Sequence, residues 1–372
     1  MTGSQKLRFA AAGRFSSGKE YVILFQSSEF SATEAYFMTK QRILFITTGG
    51  TIASVRTQQG LKPVLTSEEL LAHLPELKEL CCPKTLALCS IDSTDLGQEH
   101  WLMMARAIQE NYALYDGFII CHGTDTLAYT AAALSYMIQN SAKPIVVTGA
   151  QKPINMDVTD AKTNLLDSFI YAADDDSQGV NLVFDGKVIV GTRAKKEHAK
   201  SYNAFSSINF PYLAVIQDGI LVRYIPEIPC RHAVKFYYDM KDSVYVLKLI
   251  PGMKPDILSY LFEHYDCLVI ESFGVGGIPQ TLVQEFYQEM EKWSGKGKFV
   301  VMTTQVANEG SNMTVYEVGK KVKQDFNMIE AYDMTLEAVI TKLMWLMGRE
   351  EQDMQKAFYT QINHDILFTK RG

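Results

Sequence analysis

Two segments place hydroxyl side chains where an α/β protein holds its ligands. They are Thr47-Thr48-Gly49-Gly50-Thr51-Ile52-Ala53 and His122-Gly123-Thr124-Asp125-Thr126. Each follows an apolar run with the character of a buried strand, Ile43 to Ile46 and Phe118 to Cys121. In open α/β sheets ligands sit outside the carboxyl ends of the strands. A threonine hydroxyl there is a weak nucleophile that needs an adjacent base. The pattern therefore points to threonine chemistry without a metal or a nucleotide. A third segment, Asp92-Ser93-Thr94-Asp95, follows another strand-like run at the same edge, and Ser93 is suited to hold a carboxylate. Lys195-Lys196-Glu197-His198 follows Gly191-Thr192-Arg193 and offers a base. A lysine that activates a threonine must be buried, and the sequence leaves open which lysine that is.

Each motif also has a plainer reading. Gly49-Gly50 suits a tight strand-to-helix turn, since glycine tolerates positive φ. A hydroxyl or carboxylate at a helix start is often a cap, and Asp95 and Gln98 have the spacing of a capping box. Capping accounts for one residue of the 122–126 segment, not for the set. His122 is tempting as a base, but a lone histidine at a strand end is more often structural. Neither GxGxxG nor GxxxxGK[ST] is present, which argues against a dinucleotide or P-loop site. GxSxG is absent as well. The seven histidines show no HxxxH spacing and no His/Cys cluster, so no metal site is expected.

These segments must be carried by a scaffold. Strand-like runs at 43–47, 85–91, 117–121, 143–147 and 180–184 alternate with helical patterns, among them 98–113 and Asp160 to Ala173. Thr66-Ser67-Glu68-Glu69 opens a short helix as a capping box, and Asp185-Gly186 marks a hairpin. The pattern weakens over 206–242, with prolines between Pro211 and Pro229, as expected for a crossing between domains. It resumes as strand 244–250, helix 255–264, strand 266–270, helix 279–292, strand 298–302 and helix 335–347. Alternating strands and helices predict parallel sheets covered on both faces. The fold class expected is α/β, with a larger N-terminal doubly wound, mostly parallel sheet domain and a smaller C-terminal α/β domain. The expected boundaries are 38–225 and 243–372, joined by 226–242. Residues 1–37 read as an extension outside the fold.

Bulk properties fit that organisation. A chain of 372 residues exceeds one ordinary core. A net charge of -6 gives no basic stripe for nucleic acid. No apolar run reaches the length that spans a bilayer. Six cysteines without CxxC spacing suit a reducing, cytoplasmic setting.

Taken together, the segments resemble the bacterial-type L-asparaginase family, close to its cytoplasmic type I branch. Thr48 to Ala53 matches the family's first signature and Cys121 to Thr130 its second. The likeness continues through Asp92 to Asp95, Val147 to Ala150, Arg193 to Lys196, Gly274 to Gly277 and Asp333 to Thr335. It covers roughly residues 41 to 365. The resemblance implies hydrolysis of L-asparagine to L-aspartate and ammonia, with no cofactor. It places Thr51 at the primary nucleophile and Thr124, Lys196 and Asp125 at a threonine–lysine–aspartate triad. Ser93 and Asp125 fall where the substrate's α-carboxylate and α-ammonium are held. Asp92, Thr94, Gly50, Gly123 and Ala150 fall beside them. It further implies a homodimer or homotetramer.

Three positions depart from the family pattern. Leu61 stands where many members carry a loop tyrosine, so another residue must orient Thr51. Thr94 stands where periplasmic members have glutamine, and Gly277 where many have asparagine. A tRNA-dependent amidotransferase component that releases ammonia is the closest rival, although such proteins carry a further N-terminal module. A non-catalytic amino-acid sensor would need Ser93 and Asp125 but not Lys196. A dinucleotide-dependent dehydrogenase lacks its fingerprint here.

Overall fold

The computed structural model describes residues 12–14, 20–22, 40–57, 60–293, 296–315, 317–326 and 328–367; at 12–14, 20–22, 56–57, 60–63, 317–318, 322 and 324 only the backbone is described. The chain divides into two compact units, Met1–Lys40 and Gln41–Gly372. In the first, Ala12–Arg14 pairs antiparallel with Glu20–Val22. The reading of residues 1–37 as an extension falls mostly outside the described residues. All that follows concerns the second unit.

Strand β1 (Arg42–Gly49) shows why the large sheet is buried on both sides. Successive side chains on a strand point to opposite faces. Ile43 and Phe45 go to one face, Leu44 and Ile46 to the other, and all four are buried. Such a strand needs cover on both sides, which is how parallel sheets are built. The large sheet continues with β2 (Cys82–Ile91), β3 (Gly117–Cys121), β4 (Pro144–Thr148), β5 (Gly179–Phe184) and β6 (Lys187–Val190). The short pair β7 (Ala194–Lys196) and β8 (Phe205–Ser207) comes next, then β9 (Ala214–Gln217) and β10 (Ile220–Arg223).

The sheet order is β10-β9-β6-β5-β4-β3-β1-β2. The five strands β1 to β5 are parallel, and β6, β9 and β10 close the far edge as an antiparallel meander. The chain runs from β1 outward to β2, then crosses to place β3 on β1's other side. Strand order thus reverses between β1 and β3, the position at which doubly wound sheets bind ligands.

Helices α1 (Ser67–Ala72), α2 (Gln98–Asn111), α3 (Leu127–Met137) and α4 (Ala161–Ala172) connect these strands. The capping box of α1 forms as read: Glu69 N–H donates to Thr66 Oγ1 at 3.2 Å, and Thr66 N–H to Glu69 Oε2 at 2.8 Å. The expected box between Asp95 and Gln98 does not form. Helix α2 starts after Gly97, whose N–H donates to His100 Nδ1 at 3.2 Å, and Asp92 instead caps a short 3-10 turn, Ser93–Asp95. Helices α2 and α3 cover one sheet face, with Trp101, Ile108, Leu127 and Ala131 against Leu44 and Phe118. Helix α4 covers the other, with Leu165 and Phe169 against Phe45 and Val146.

Residues 206–242 are not only a crossing. Their β9–β10 hairpin completes the large sheet. The signal was weak because Ile220, at 65% exposure, and Val222 face outward on an edge strand that buries little.

The smaller sheet is all parallel, in the order β11 (Val244–Lys248), β12 (Cys267–Ser272), β13 (Phe299–Thr304) and β14 (Ile329–Glu330). Helices α5 (Ile257–His264) and α6 (Gln280–Trp293) pack on it through Leu261, Phe262 and Phe286. Helix α7 (Leu336–Gly348) lies between the two sheets, where Val339 and Leu343 join Ala132 and Tyr136 of α3 in one cluster. Because α3 touches the sheet on one side and α7 on the other, it is buried nearly all round, as an uncharged helix must be. The junction is also pinned by charge. Fully buried Asp365 accepts from Lys342 Nζ at 2.6 Å and from Tyr136 OH at 3.0 Å. Removing one member of such a pair leaves the other charge stranded, at about 3–5 kcal/mol.

The Asp185-Gly186 hairpin forms with φ of 52 and 69, which suits a turn of type I′. Asp167 of α4 accepts the Gly186 N–H through its carboxyl group, but its Oδ2 is buried without a partner. Burial pushes that carboxyl up to about 6. The folded state thus holds the proton more tightly than the unfolded chain. Stability present below the unfolded value is lost as pH rises through 6. Asp167→Asn should therefore raise thermal stability at about pH 8, by about 1–3 kcal/mol, and change it little near pH 4. Melting curves at the two pH values check this.

Candidate active site

Four turns meet in close contact at the switch point. Gly50 has φ of 81, and a Cβ there would lie 2.6 Å from Gly123 Cα. A Cβ on Gly123 would lie 2.6 Å from Ser93 Oγ, and one on Gly149 would lie 2.2 Å from the His122 carbonyl oxygen. Four strand ends, those of β1, β2, β3 and β4, are thus drawn into one place. Gly50 N–H donates to Ile91 O at 3.2 Å and His122 N–H to Thr148 O at 2.9 Å, which ties the turns together.

The threonines leave from this contact. Thr51, half-buried, follows Gly50 and opens a single 3-10 turn, Thr51–Ala53. Thr124, buried, follows Gly123. The neighbouring hydroxyls are spent on structure: Thr48 Oγ1 donates to Cys121 O at 3.1 Å, and Thr47 Oγ1 pairs with Ser67 Oγ at 2.7 Å.

Strand β7 brings the lysine. Its alternation sends adjacent side chains to opposite sides. Lys195 faces Glu337 of α7 at 3.5 Å. Lys196 Nζ lies 2.8 Å from Thr124 Oγ1 and 2.6 Å from Asp125 Oδ1. The choice between the two lysines, open in the sequence, is made by this pleat. Lys196 is largely buried, whereas Asp125 is exposed. The start of β7 is held by residues of the C-terminal part of the chain. Fully buried Arg193 donates through Nε to His364 O at 2.6 Å, through Nη1 to Asp333 O at 2.8 Å and through Nη2 to Asp333 Oδ2 at 2.8 Å. Thr192 Oγ1 donates to Asn363 O at 2.6 Å.

The remaining expected residues fall as follows. Buried Ser93 accepts the Asp125 N–H through Oγ at 3.3 Å and the Thr126 hydroxyl through its carbonyl at 2.7 Å. Asp92 and Thr94 lie beside it, and Asp92 Oδ1 accepts from both the Thr94 N–H and hydroxyl. The Ala150 methyl is packed into the core with Ile52 and Ala53, so only its backbone is available to a ligand. Leu61 pairs with Arg56 in a two-stranded ribbon, Ser54–Thr57 with Gly60–Pro63; its side chain lies outside the described residues. Gly277 closes a tight turn, its N–H donating to Phe273 O at 2.7 Å.

Sequence reading passed over Gln151. Its Oε1 accepts from Thr124 Oγ1 at 3.2 Å. The only available signal was its place next to Ala150 at the end of β4.

His122 is structural. Trp101 Nε1–H donates to Thr130 Oγ1 at 2.9 Å, the Thr130 hydroxyl meets His122 Nε2 at 3.0 Å, and His122 Nδ1 meets Gly123 O at 2.5 Å. With the ring proton on Nδ1, every donor in this chain has an acceptor. Burial lowers the His122 ring to about 4, so it is neutral at physiological pH. Burial also pushes the Cys121 thiol up to about 12, which leaves no thiolate beside the threonines. Among the described residues no group of three His, Cys, Asp or Glu side chains is placed to hold a metal ion.

Residues 42–228 match the family described as Asparaginase, N-terminal, and residues 243–358 match the Glutaminase/Asparaginase C-terminal domain. This chain belongs to the asparaginase family. The L-asparaginase of Thermococcus kodakarensis is 37% identical over 329 residues, covering 87% of this chain and 99% of the relative. The solved thermostable L-asparaginase from that organism superposes with a TM-score of 0.81 at 34% identity, covering 88% of this chain and all of the other. L-asparaginase 1 of Escherichia coli K12 is 35% identical, covering 84% of this chain and 94% of the relative. The asparaginase family also reaches a different activity. A glutamyl-tRNA(Gln) amidotransferase component of Methanococcus maripaludis is 31% identical, covering 88% of this chain and 82% of the relative.

Two outcomes follow from the site's construction. Gly50→Ala would drive a methyl into Gly123 and force an unfavourable φ. It should cost about 1–3 kcal/mol of stability and most of the activity, read by melting and turnover together. For His122, the folded ring binds its proton less readily than the unfolded chain. Its contribution is full above the unfolded value of 6.5 and is lost as pH falls toward 4. His122→Gln should therefore flatten the loss of stability over that window, a difference of up to about 3 kcal/mol in denaturant titrations.

Proposed function

We propose that this chain hydrolyses L-asparagine to L-aspartate and ammonia. The observation that carries the reading is Lys196 Nζ bridging Thr124 Oγ1 and Asp125 Oδ1 beside the Thr51 turn. The full-length likeness to proteins named L-asparaginase supports it.

An amide has a poor leaving group, so the site must supply a nucleophile, a charge trap and a proton. In our reading Thr51 Oγ attacks the side-chain carboxamide carbon and loses its proton to the Thr124–Lys196–Asp125 group. The C–N bond breaks as nitrogen gains that proton and leaves as ammonia. Water then hydrolyses the β-aspartyl ester and frees Thr51. Backbone N–H groups at the glycine turns are the candidates for holding the developing oxyanion. Each such donor is worth about 100- to 1,000-fold in rate. Ser93 and Asp125 would grip the α-carboxylate and α-ammonium groups. Asp92, Thr94, Gly50, Gly123 and the Ala150 backbone would line the remainder. One methylene in a pocket is worth only about 1–3 kcal/mol, so some glutaminase side activity is expected.

The same proposal places the protein in the cytoplasm as a homodimer or homotetramer, with domains at 38–225 and 243–372 joined by 226–242. The amidotransferase relative supplies a second reading, release of ammonia for tRNA-dependent synthesis. Ammonia release from asparagine by the chain alone, without tRNA or partner, separates the two. Thr51→Ala should abolish turnover while asparagine still binds, and Lys196→Met should lower kcat by about 1,000-fold or more. Turnover retained in Thr51→Ala would remove Thr51 as the nucleophile.

A further inference from the structure

Thr124 has one hydroxyl hydrogen, and its direction decides what Lys196 can do with it. Gln151 controls that direction. Its Nε2 lies 3.2 Å from both the His198 and Ser201 carbonyl oxygens. Carbonyls cannot donate, so the NH2 end must face them and the Oε1 end must face Thr124. Oε1 then takes the Thr124 hydrogen at 3.2 Å. A Thr124 lone pair is left toward Lys196 Nζ at 2.8 Å. The Gln151 backbone is itself fixed, since its N–H donates to Asp160 Oδ2 at 2.8 Å. That carboxylate also receives Asn164 Nδ2 at 3.2 Å.

We infer that Gln151 is a positioning residue that sets the polarity of the Thr124 hydroxyl and couples it to the 198–201 loop. The inference rests on the reading of Thr124 as part of the hydrolytic site. The amide serves as a rigid connector: loop carbonyls orient its donor end, and its acceptor end orients the threonine. When the loop holds Gln151, the Thr124 hydrogen is turned away from Lys196, and Lys196 Nζ donates one N–H to Thr124 and one to Asp125. Releasing the connector frees the hydroxyl to rotate and to direct its hydrogen into the cleft or at Lys196. The position of an exposed loop that does not carry the proposed nucleophile thereby controls the direction of the hydrogen bond between Thr124 and Lys196. The ionisable groups around the connector include Lys196 and Asp125 on one side, Asp160 behind it, Lys200 within the loop, Lys152 over the Tyr202 ring beside it, and His198, whose Nδ1 is turned to Asn203 O at 3.0 Å.

The test uses the full chain as wild type, Gln151→Met and Gln151→Glu. Methionine keeps the length and removes both polar ends. Glutamate keeps an acceptor, but when ionised it turns charge on the two loop carbonyls. When protonated, it again donates to one of them and accepts from Thr124. In Gln151→Met, kcat for ammonia release from asparagine should fall about tenfold or more, with KM within about threefold and little change in melting temperature. In Gln151→Glu, activity relative to wild type should be low near pH 8 and recover about fivefold or more near pH 5, as the new carboxyl protonates. A purely structural role would not produce that recovery. Hydrogen exchange of residues 198–202 should quicken in Gln151→Met whether or not the chain turns over asparagine. A wild-type kcat in Gln151→Met, or a Gln151→Glu ratio flat with pH, would overturn the inference. Should the wild type release no ammonia, the hydrolase reading fails, and the exchange measurement decides alone: unchanged exchange at 198–202 overturns the connector.

Discussion

The site depends on turns that meet where three glycines carry no side chain. Gly50 lies against the Gly123 backbone, Gly123 against the Ser93 side chain, and Gly149 against the His122 carbonyl. A β-carbon on any of the three glycines would push two strand ends apart. Thr51 and Thr124 then stand on adjoining turns because each comes one residue after a glycine in contact. The same contact explains the sheet topology's usefulness. Strand order reverses between β1 and β3, so their carboxyl ends diverge into connections on opposite sides, and the gap left there can admit a small molecule.

Charge enters this gap from outside the parallel strands. Lys196 arrives on a short two-stranded ribbon whose first residues are clamped by Asp333, Asn363 and His364. The buried guanidinium of Arg193 has a carboxylate and two carbonyls for its donors, which is what a desolvated cation requires. The Nζ of Lys196 is less enclosed and meets Thr124 and Asp125. Arg193 and Lys196 thus have different duties, one holding the strand and one facing the cleft.

Much of this was legible in the residues, and the reasons are specific. The strand cores at 43–47 and 117–121 are continuous apolar runs, because a strand buried on both faces has no polar side to interrupt them. The glycine-hydroxyl turns announced themselves because tight turns and close approach both select glycine. The β9–β10 hairpin was obscured because its outer face is exposed on an edge. Helix Glu317–Phe326 was missed for a related reason: its lysines and acids dilute the apolar spacing. In the site, Lys195 and Lys196 are equivalent as letters, and only the pleat of β7 separates them. Gln151 gave no signal beyond its place next to Ala150, because its hydrogen bonds go to carbonyls 47 and 50 residues away in sequence. The chemistry that resides in one turn was readable, whereas chemistry assembled across turns was not.

The clamp on β7 has a consequence for synthesis. Asn363 and His364 both adopt left-handed backbone conformations, with φ of 46 and 58, and offer their carbonyls to Thr192 and Arg193. Until those residues leave the ribosome, the Arg193 Nε–H and the Thr192 hydroxyl lack these acceptors, and the ribbon bearing Lys196 stays unanchored. The nascent N-terminal sheet can form its turns early, yet the lysine is locked in place only when residues 363 and 364 have emerged. A competent cleft is therefore acquired late in translation, long after the polypeptide stretch that carries its threonines has been made.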